Sequence, residues 1–201
     1  MAERGRPRSF DRRQALYRAM EVFWEKGYEG ASMAALTDAM GIAAPSLYAA
    51  FGSKEALFRE ALGLYETTEG GELMESVLRA STAFEAVQRL LMASARLYTR
   101  ADKPAGCLVV LCALQAGDAG EPVRGELSSR RMANVGSLAE LLARGVDTGE
   151  IPPSADLRAI ARFYVTVQQG MSIQARDGAS QSELETVARA ALSAWAGLIG
   201  R

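Results

Sequence analysis

Apolar residues recur at steps of three and four along nearly the whole chain, and no stretch alternates as a half-buried strand would. Leu16, Ala19, Met20 and Phe23 share one face of a helix predicted over about 11–26, with Ser9 or Asp11 as its cap and Gly27 as its stop. Ser32 opens a short helix carrying Met33, Leu36 and Met40 and closed by Gly41. A second short helix is predicted over about 44–50, with Pro45 tolerated in its first turn. Ser53 caps a longer helix that turns Leu57, Phe58, Ala61, Leu62 and Tyr65 inward, and Gly70-Gly71 reads as a bend. Further helices are predicted at about 83–101, 106–116, 121–147, 155–176 and 181–199. Their breaks are Asp102-Lys103-Pro104, residues 117–120, Pro152-Pro153 and Asp177-Gly178. The pattern predicts an all-α protein of about nine helices, without internal repeats.

Composition narrows the function. With 201 residues, 49 % of them apolar, the chain can bury a substantial core. No apolar run reaches the roughly 18 residues that span a bilayer. The basic first 18 residues are not followed by a secretory apolar segment, so the expected location is cytoplasmic, with no membrane partner. Histidine is absent, which removes Ser-His and Cys-His dyads, His-ligated zinc and imidazole acid–base chemistry. Cys107 and Cys112 are the two cysteines, five apart in a predicted helix. Their Cα atoms would stand about 7.5 Å apart along the axis, beyond disulfide reach. Neither a metal site nor a cofactor is expected, nor an enzyme: no glycine loop is built to cradle a phosphate and no metal-ligating cluster is present.

Charge is near balance overall, at −1, yet residues 1–18 hold Arg4, Arg6, Arg8, Arg12, Arg13 and Arg18 against Glu3 and Asp11. A basic leading segment on an otherwise acidic chain points to a polyanion bound at one end. Residues 32–48 supply the matching device, two short helices joined by a tight turn at Gly41-Ile42-Ala43. This is the helix-turn-helix plan, whose second helix enters the DNA major groove. Gly41 permits a backbone conformation that a side chain would penalise. Phe51-Gly52-Ser53-Lys54-Glu55-Ala56-Leu57 follows at once, so the free N–H groups of a capped helix start, with Ser53 and Lys54, sit beside Tyr48 as a phosphate site. Ser32 and Tyr48 add hydroxyl donors that fix position on a duplex without reading its sequence.

Residues 12–65, notably Phe23, Gly27, Tyr28, Ser32, Leu36, Gly41-Ile42, Leu47-Tyr48 and the Phe51–Leu57 run, resemble the N-terminal domain of the TetR/AcrR family of bacterial regulators. The resemblance implies an all-helical homodimer, usually a repressor, with a three-helix DNA-binding domain and a larger, divergent domain for a small-molecule inducer and for dimerisation. The boundary is placed after residue 55, giving domains 1–55 and 56–201. By position, Ser32, Ala44, Pro45, Ser46, Tyr48, Ala49 and Lys54 would face DNA. The chain departs from the family's pattern at Ala43, commonly a capping Ser or Thr, and at Ala44, Ala49 and Ala50, where larger groups are common. Direct base reading is therefore expected to be thin: Ser46, plus methyl contacts to thymine. The arm Arg4-Gly5-Arg6-Pro7-Arg8 suits a narrow A·T-rich minor groove.

In the last two helices, Leu184, Val187, Ala188, Ala191, Leu192, Trp195, Leu198 and Ile199 form one stripe, and Leu157, Ala161, Tyr164, Gln168, Met171 and Ala175 form another. Leu157, Ala161, Tyr164, Leu184, Ala188, Ala191, Leu192, Trp195 and Leu198 are the expected dimer contacts. A two-fold dimer presents two recognition helices, so the operator should be a near-palindrome. Tyr98, Cys107, Leu111, Phe163, Gln168 and Met171 are the candidate inducer contacts, on helices that would surround a cavity. Gln168, an amide within an apolar stripe, needs a partner and could instead set register in the dimer seam. Two alternatives stay open: a weakly specific, nucleoid-like DNA binder, and a thiol sensor using Cys107, placed near a helix start where a thiolate is favoured.

Overall fold

The computed structural model describes residues 10–112 and 120–201. The arm with Arg4, Arg6 and Arg8 lies outside the described residues, as does the end of the helix predicted over 106–116. The described residues are helical with no strand: α1 (Arg12–Gly30), α2 (Met33–Met40), α3 (Ala44–Phe51), α4 (Lys54–Thr67), α5 (Glu69–Leu78), α6 (Ala83–Tyr98), α7 (Leu108–Leu111), α8 (Glu121–Asp147), α9 (Leu157–Arg176), α10 (Gln181–Leu192) and α11 (Trp195–Ile199).

Helix starts follow capping chemistry. Asp11, Ser32, Ser53, Thr82, Asp156 and Ser180 each accept a hydrogen bond from a first-turn backbone N–H, and Ser180 completes a capping box with Glu183. The exception that matters is α3: Ala43 stands at its N-cap and offers no side-chain bond. Gly41, at φ 67°, closes α2 and turns the chain toward α3.

Three elements depart from the sequence expectation. Gly70-Gly71 do not bend the chain; they lie in the first turn of α5, and the turn is at Thr68 (φ −108°, ψ −88°). Glycine is cheap there because α5 starts tightly against the end of α4: a Cβ at Gly71 would meet the Glu66 carbonyl at 3.3 Å. The helix expected over 181–199 breaks at Ser193-Ala194 into α10 and α11. Helix α7 is only four residues long.

Two apolar clusters result. One joins α1–α4 around Phe23, Tyr28 and Phe58, with Phe58 edge-on to both other rings (centroids 5.1 and 5.3 Å apart), and extends to Leu108, Val109 and Cys112. The other joins α6, α8, α9 and α10 around Leu91, Leu142 and Tyr164. We call these the head and the body.

The seam between them follows from a break in α1. Gly27 leaves helical geometry (φ 72°, ψ 170°), so the Tyr28 N–H no longer reaches the Trp24 carbonyl, its partner in an unbroken helix, and bonds to the Cys112 carbonyl at 2.8 Å. The carbonyls of Trp24 and Glu25 are satisfied from the body: Arg176 of α9 donates to them at 2.8 and 2.7 Å, and to Ala105 at 3.0 Å. The Cys112 thiol donates to Phe23 O at 3.3 Å, and the Trp24 indole donates to Gly106 O at 3.2 Å.

Two stability predictions follow from these contacts. Arg176→Ala, which strands the carbonyls of Trp24 and Glu25, should cost about 2 kcal/mol, read as a lower urea midpoint at unchanged m. Ala43→Ser should raise stability by about 1 kcal/mol by capping α3, read as a higher melting temperature.

Candidate nucleic-acid interface and ligand cavity

Helix α3 buries one face and leaves the other open. Leu47 and Phe51 are buried in the head, whereas Ala44, Pro45, Ser46, Tyr48 and Ala49 all face solvent, Tyr48 with half of its surface exposed. The outward face is thus low and small-sided, with Ser46 and Tyr48 as its polar groups. Ser32 and Ser53 flank it, both exposed and both already accepting a cap bond, from Ala35 N (3.1 Å) and Ala56 N (3.0 Å). Their hydroxyl hydrogens remain available to an acceptor outside the protein. The Lys54 ammonium rests over the Tyr28 ring, 4.6 Å from its centroid. Partial burial pulls its pKa down from the ordinary lysine value, against the opposing pull of Glu29.

Sequence reasoning counted Arg12 and Arg18 as charge; the structure gives them positions. Arg12 stacks over Phe51 at 4.3 Å, donates to Ala50 O at 3.2 Å and pairs with Glu60 at 2.8 Å, fastening the far end of α3 to the first turn of α1. Arg18 donates to Ala39 O at 3.3 Å, at the end of α2. No local pattern announces contacts 38 and 21 residues away in the chain.

A cavity of about 570 Å³ lies where the head meets the body, walled by α4, α5, α6, α8 and α9, with Trp24 of α1 reaching into it. Of the candidate contacts, Tyr98, Cys107 and Gln168 line it. Leu111, Phe163 and Met171 do not: Leu111 packs beside Gly106, Met171 is buried in the body core, and Phe163 lies on the outer surface, edge-on to Tyr164. The buried amide of Gln168 finds its partner within the chain, donating to Ser94 Oγ at 3.1 Å. Sequence reading missed Tyr65, Glu66 and Glu69, from a junction it took as a bend, and Leu73, Met74 and Arg130 besides. Of the charged groups lining the cavity, Glu66 pairs with Arg130, and Glu69 with Arg100 (2.8 Å) and Lys103 (3.6 Å), whereas Glu140 and Arg144, both exposed, make no ion pair among the described residues.

Cys107 is held with care. Gly106, at φ 81°, lies so close to α9 that a Cβ would sit 2.6 Å from Ser172 O and 2.5 Å from the Leu111 side chain. That approach lets the Cys107 N–H reach Ser172 Oγ at 2.8 Å. The Tyr65 hydroxyl donates to the Cys107 sulfur at 3.4 Å. Burial nevertheless pushes this thiol's pKa up, Tyr65 countering only part of it, and α7 is too short to act as a helix dipole. The helix-start argument for a thiolate therefore fails. Cys112 is more deeply removed from water, its pKa pushed up to about 12 by burial.

The expected dimer contacts divide. Ala161, Tyr164, Leu184, Ala188, Ala191 and Leu192 are buried within the chain's own body, and Tyr164 donates to Ala191 O at 3.4 Å, so they pack α9 against α10 and are not available to a partner. Leu157, Trp195 and Leu198 are half-buried against the same core. The outward apolar groups of these helices are Phe163 (36 % exposed), Ile173 (41 %) and Val187 (46 %), beside exposed Ala190 and Gly197. Of the stripe read from the sequence, Val187 is on the open face, and the other members pack inward or lie half-buried.

Among the described residues no helix is long and apolar enough to cross a membrane, and no group of acidic or cysteine side chains could hold a metal ion.

Two family models match, in tandem: bacterial regulatory proteins of the tetR family over residues 15–61, and a tetracyclin repressor-like C-terminal domain over residues 66–191. The chain is 38 % identical to the HTH-type transcriptional repressor ComR of Escherichia coli (strain K12), covering 98 % of this chain and 94 % of that one. It is 33 % identical to the HTH-type transcriptional repressor BdcR of the same strain, covering 90 % and 86 %. Among solved structures, a cysteine mutant of the TetR family transcriptional regulator CifR, complexed with 26bp double-strand operator DNA, matches with a TM-score of 0.92 and 47 % identity over 94 % of this chain and all of that one. Most of α1–α4 falls within the first matched model and α5–α10 within the second, apart from the end of α10, and the chain belongs to the TetR family of bacterial regulatory proteins.

Proposed function

We propose that this protein is a transcriptional repressor that binds a palindromic operator as a homodimer and leaves it when a small molecule fills the cavity. The observation that carries this reading is the joining of two features through one helix, α1, which holds the end of α3 by Arg12. The head offers α3 with its outer face free, and the other end of the same head supplies Trp24 to the cavity wall. A ligand there touches the piece of α1 that the body holds through Arg176 and that Cys112 ties down beside it. Differential affinity for the two arrangements is all that release requires. The relatives named as repressors, and the operator DNA held by the CifR mutant, support the DNA reading.

On the duplex, Ala44, Pro45, Ser46, Tyr48 and Ala49 enter the major groove, while Ser32, Ser53 and Lys54 meet phosphates. Arg4, Arg6 and Arg8 follow the adjacent minor groove. The head runs through α4, since its apolar cluster continues to Tyr65, and the body begins at α5. The dimer forms through the outer faces of α9 and α10, with Phe163, Ile173 and Val187 as its anchors. The protein acts in the cytoplasm, without enzyme activity.

The small-sided face of α3 favours a second reading, weakly specific binding along any duplex. Selection from a random pool followed by footprinting separates the two. The repressor reading expects one protected near-palindrome; diffuse protection at physiological salt overturns it. Lys54→Ala should weaken binding to all duplexes and lower the slope of log K against log salt by about one unit. An unchanged slope, measured by salt titration of the duplex affinity, removes Lys54 from the phosphate contacts.

A further inference from the structure

Three cations stand over aromatic rings among the described residues, and one of them differs from the other two. Arg12, over Phe51, also pairs with Glu60, and Lys103, over Tyr17, also pairs with Glu21 and Glu69. Lys54, 4.6 Å from the centroid of Tyr28, makes no hydrogen bond and no ion pair among the described residues. Its neighbour Glu55 is taken by Arg59 at 2.7 Å, and Glu29 attracts the ammonium without pairing with it. The charge is held in one place and has no counter-charge in contact there. A ring face holds a cation through its quadrupole and offers no oxygen acceptor, so the ammonium keeps its hydrogens for an acceptor outside the protein.

The ring is itself fixed. Tyr28 is buried, edge-on to Phe58 with centroids 5.3 Å apart and stacked on Phe23 at 6.1 Å. Its backbone N–H is tied to Cys112 O at 2.8 Å, and Gly27 before it lies so close to that carbonyl that a Cβ would meet it at 3.1 Å. Neither the ring nor the main chain of Tyr28 can shift without breaking contacts in the head or with the chain just beyond α7. A lysine stem is long and flexible, and freezing it on a phosphate carries an entropic cost that an ammonium already in place largely avoids.

We propose that Tyr28 is the positioning residue for Lys54: its ring places the ammonium for a backbone phosphate before the duplex arrives, and so contributes to DNA affinity without itself touching DNA. Because the contact is made through a ring face, it requires an aromatic side chain at position 28 and not the phenol hydroxyl. The inference rests on the assignment of Lys54 to phosphate under the repressor reading above.

The test is a double-mutant cycle on the full-length protein, reading affinity for the duplex recovered by selection. Tyr28→Phe should keep that affinity within about twofold. Tyr28→3,4,5-trifluorophenylalanine keeps the ring in place and withdraws the negative charge from its face, and it should weaken binding by roughly threefold to tenfold per head. Tyr28→Leu should weaken binding at least as much. In a Lys54→Ala background, the trifluorinated ring and leucine should each change affinity by less than about twofold. A ring with a purely structural role weakens binding equally in both backgrounds, and that result overturns the proposal. Unchanged affinity of the trifluorinated protein with Lys54 present overturns it too. Thermal unfolding checks each variant, and the trifluorinated ring decides the matter if Tyr28→Leu does not fold. If Lys54→Ala alone leaves both affinity and salt slope unchanged, the phosphate assignment falls and the proposal with it. Absence of any preferred duplex overturns the repressor reading instead, and the same cycle on an arbitrary duplex still tests Tyr28.

Discussion

The broken end of α1 is the constraint from which the rest of the molecule follows. When Gly27 leaves helical geometry, a peptide N–H and two carbonyls lose their partners within the helix. Each must be satisfied from elsewhere: Tyr28 by Cys112, just beyond α7, and Trp24 and Glu25 by Arg176 of the body. The head is therefore fastened through directional hydrogen bonds and not only through apolar contact. Apolar contact tolerates sliding; a guanidinium gripping two successive carbonyls does not. The seam is thereby held by directional contacts in the arrangement described.

How much of this was legible in the sequence depends on the range of the interaction. Local chemistry read well: Ser32, Gly41, Ser53 and the missing cap at Ala43 are statements about adjacent backbone, and the structure has them as expected. The long helix expected over 121–147 spans Glu121–Asp147. The exposed face of α3 followed from Leu47 and Phe51 being the residues that point inward. What failed was knowledge of a helix's surroundings. Two glycines in a row signal a bend only when no neighbour makes small residues useful, and the end of α4 does so for Gly70 and Gly71. Helices α9 and α10 each carry two apolar faces, and periodicity alone does not say which one the chain keeps for itself. Tyr164 and Leu184 go inside, whereas Phe163 and Val187 are left outside. The pocket candidates divide for the same reason, since Phe163 and Gln168 differ by a rotation around α9.

The cavity draws its character from both clusters. Its walls are mostly apolar, Glu66 and Glu69 are spent on Arg130, Arg100 and Lys103, and Tyr65 reaches Cys107. Such a site selects by shape and by one or two oriented hydrogen bonds. Gly106 is the piece that allows the arrangement, because only a residue without a side chain lets this loop approach α9 closely enough for Ser172 to hold the Cys107 backbone.

The fastening of Arg12 to the end of α3 gives the head a property that its size conceals. Helix α1 grips the recognition helix at one tip and the body at the other, and the straight run between them is about 22 Å long. A rod of that length is a lever. Pivoting it by about 5° at the Gly27 end sweeps the opposite tip through about 2 Å. A shift on that scale exceeds the tolerance of a hydrogen-bond distance while the head itself keeps its internal packing.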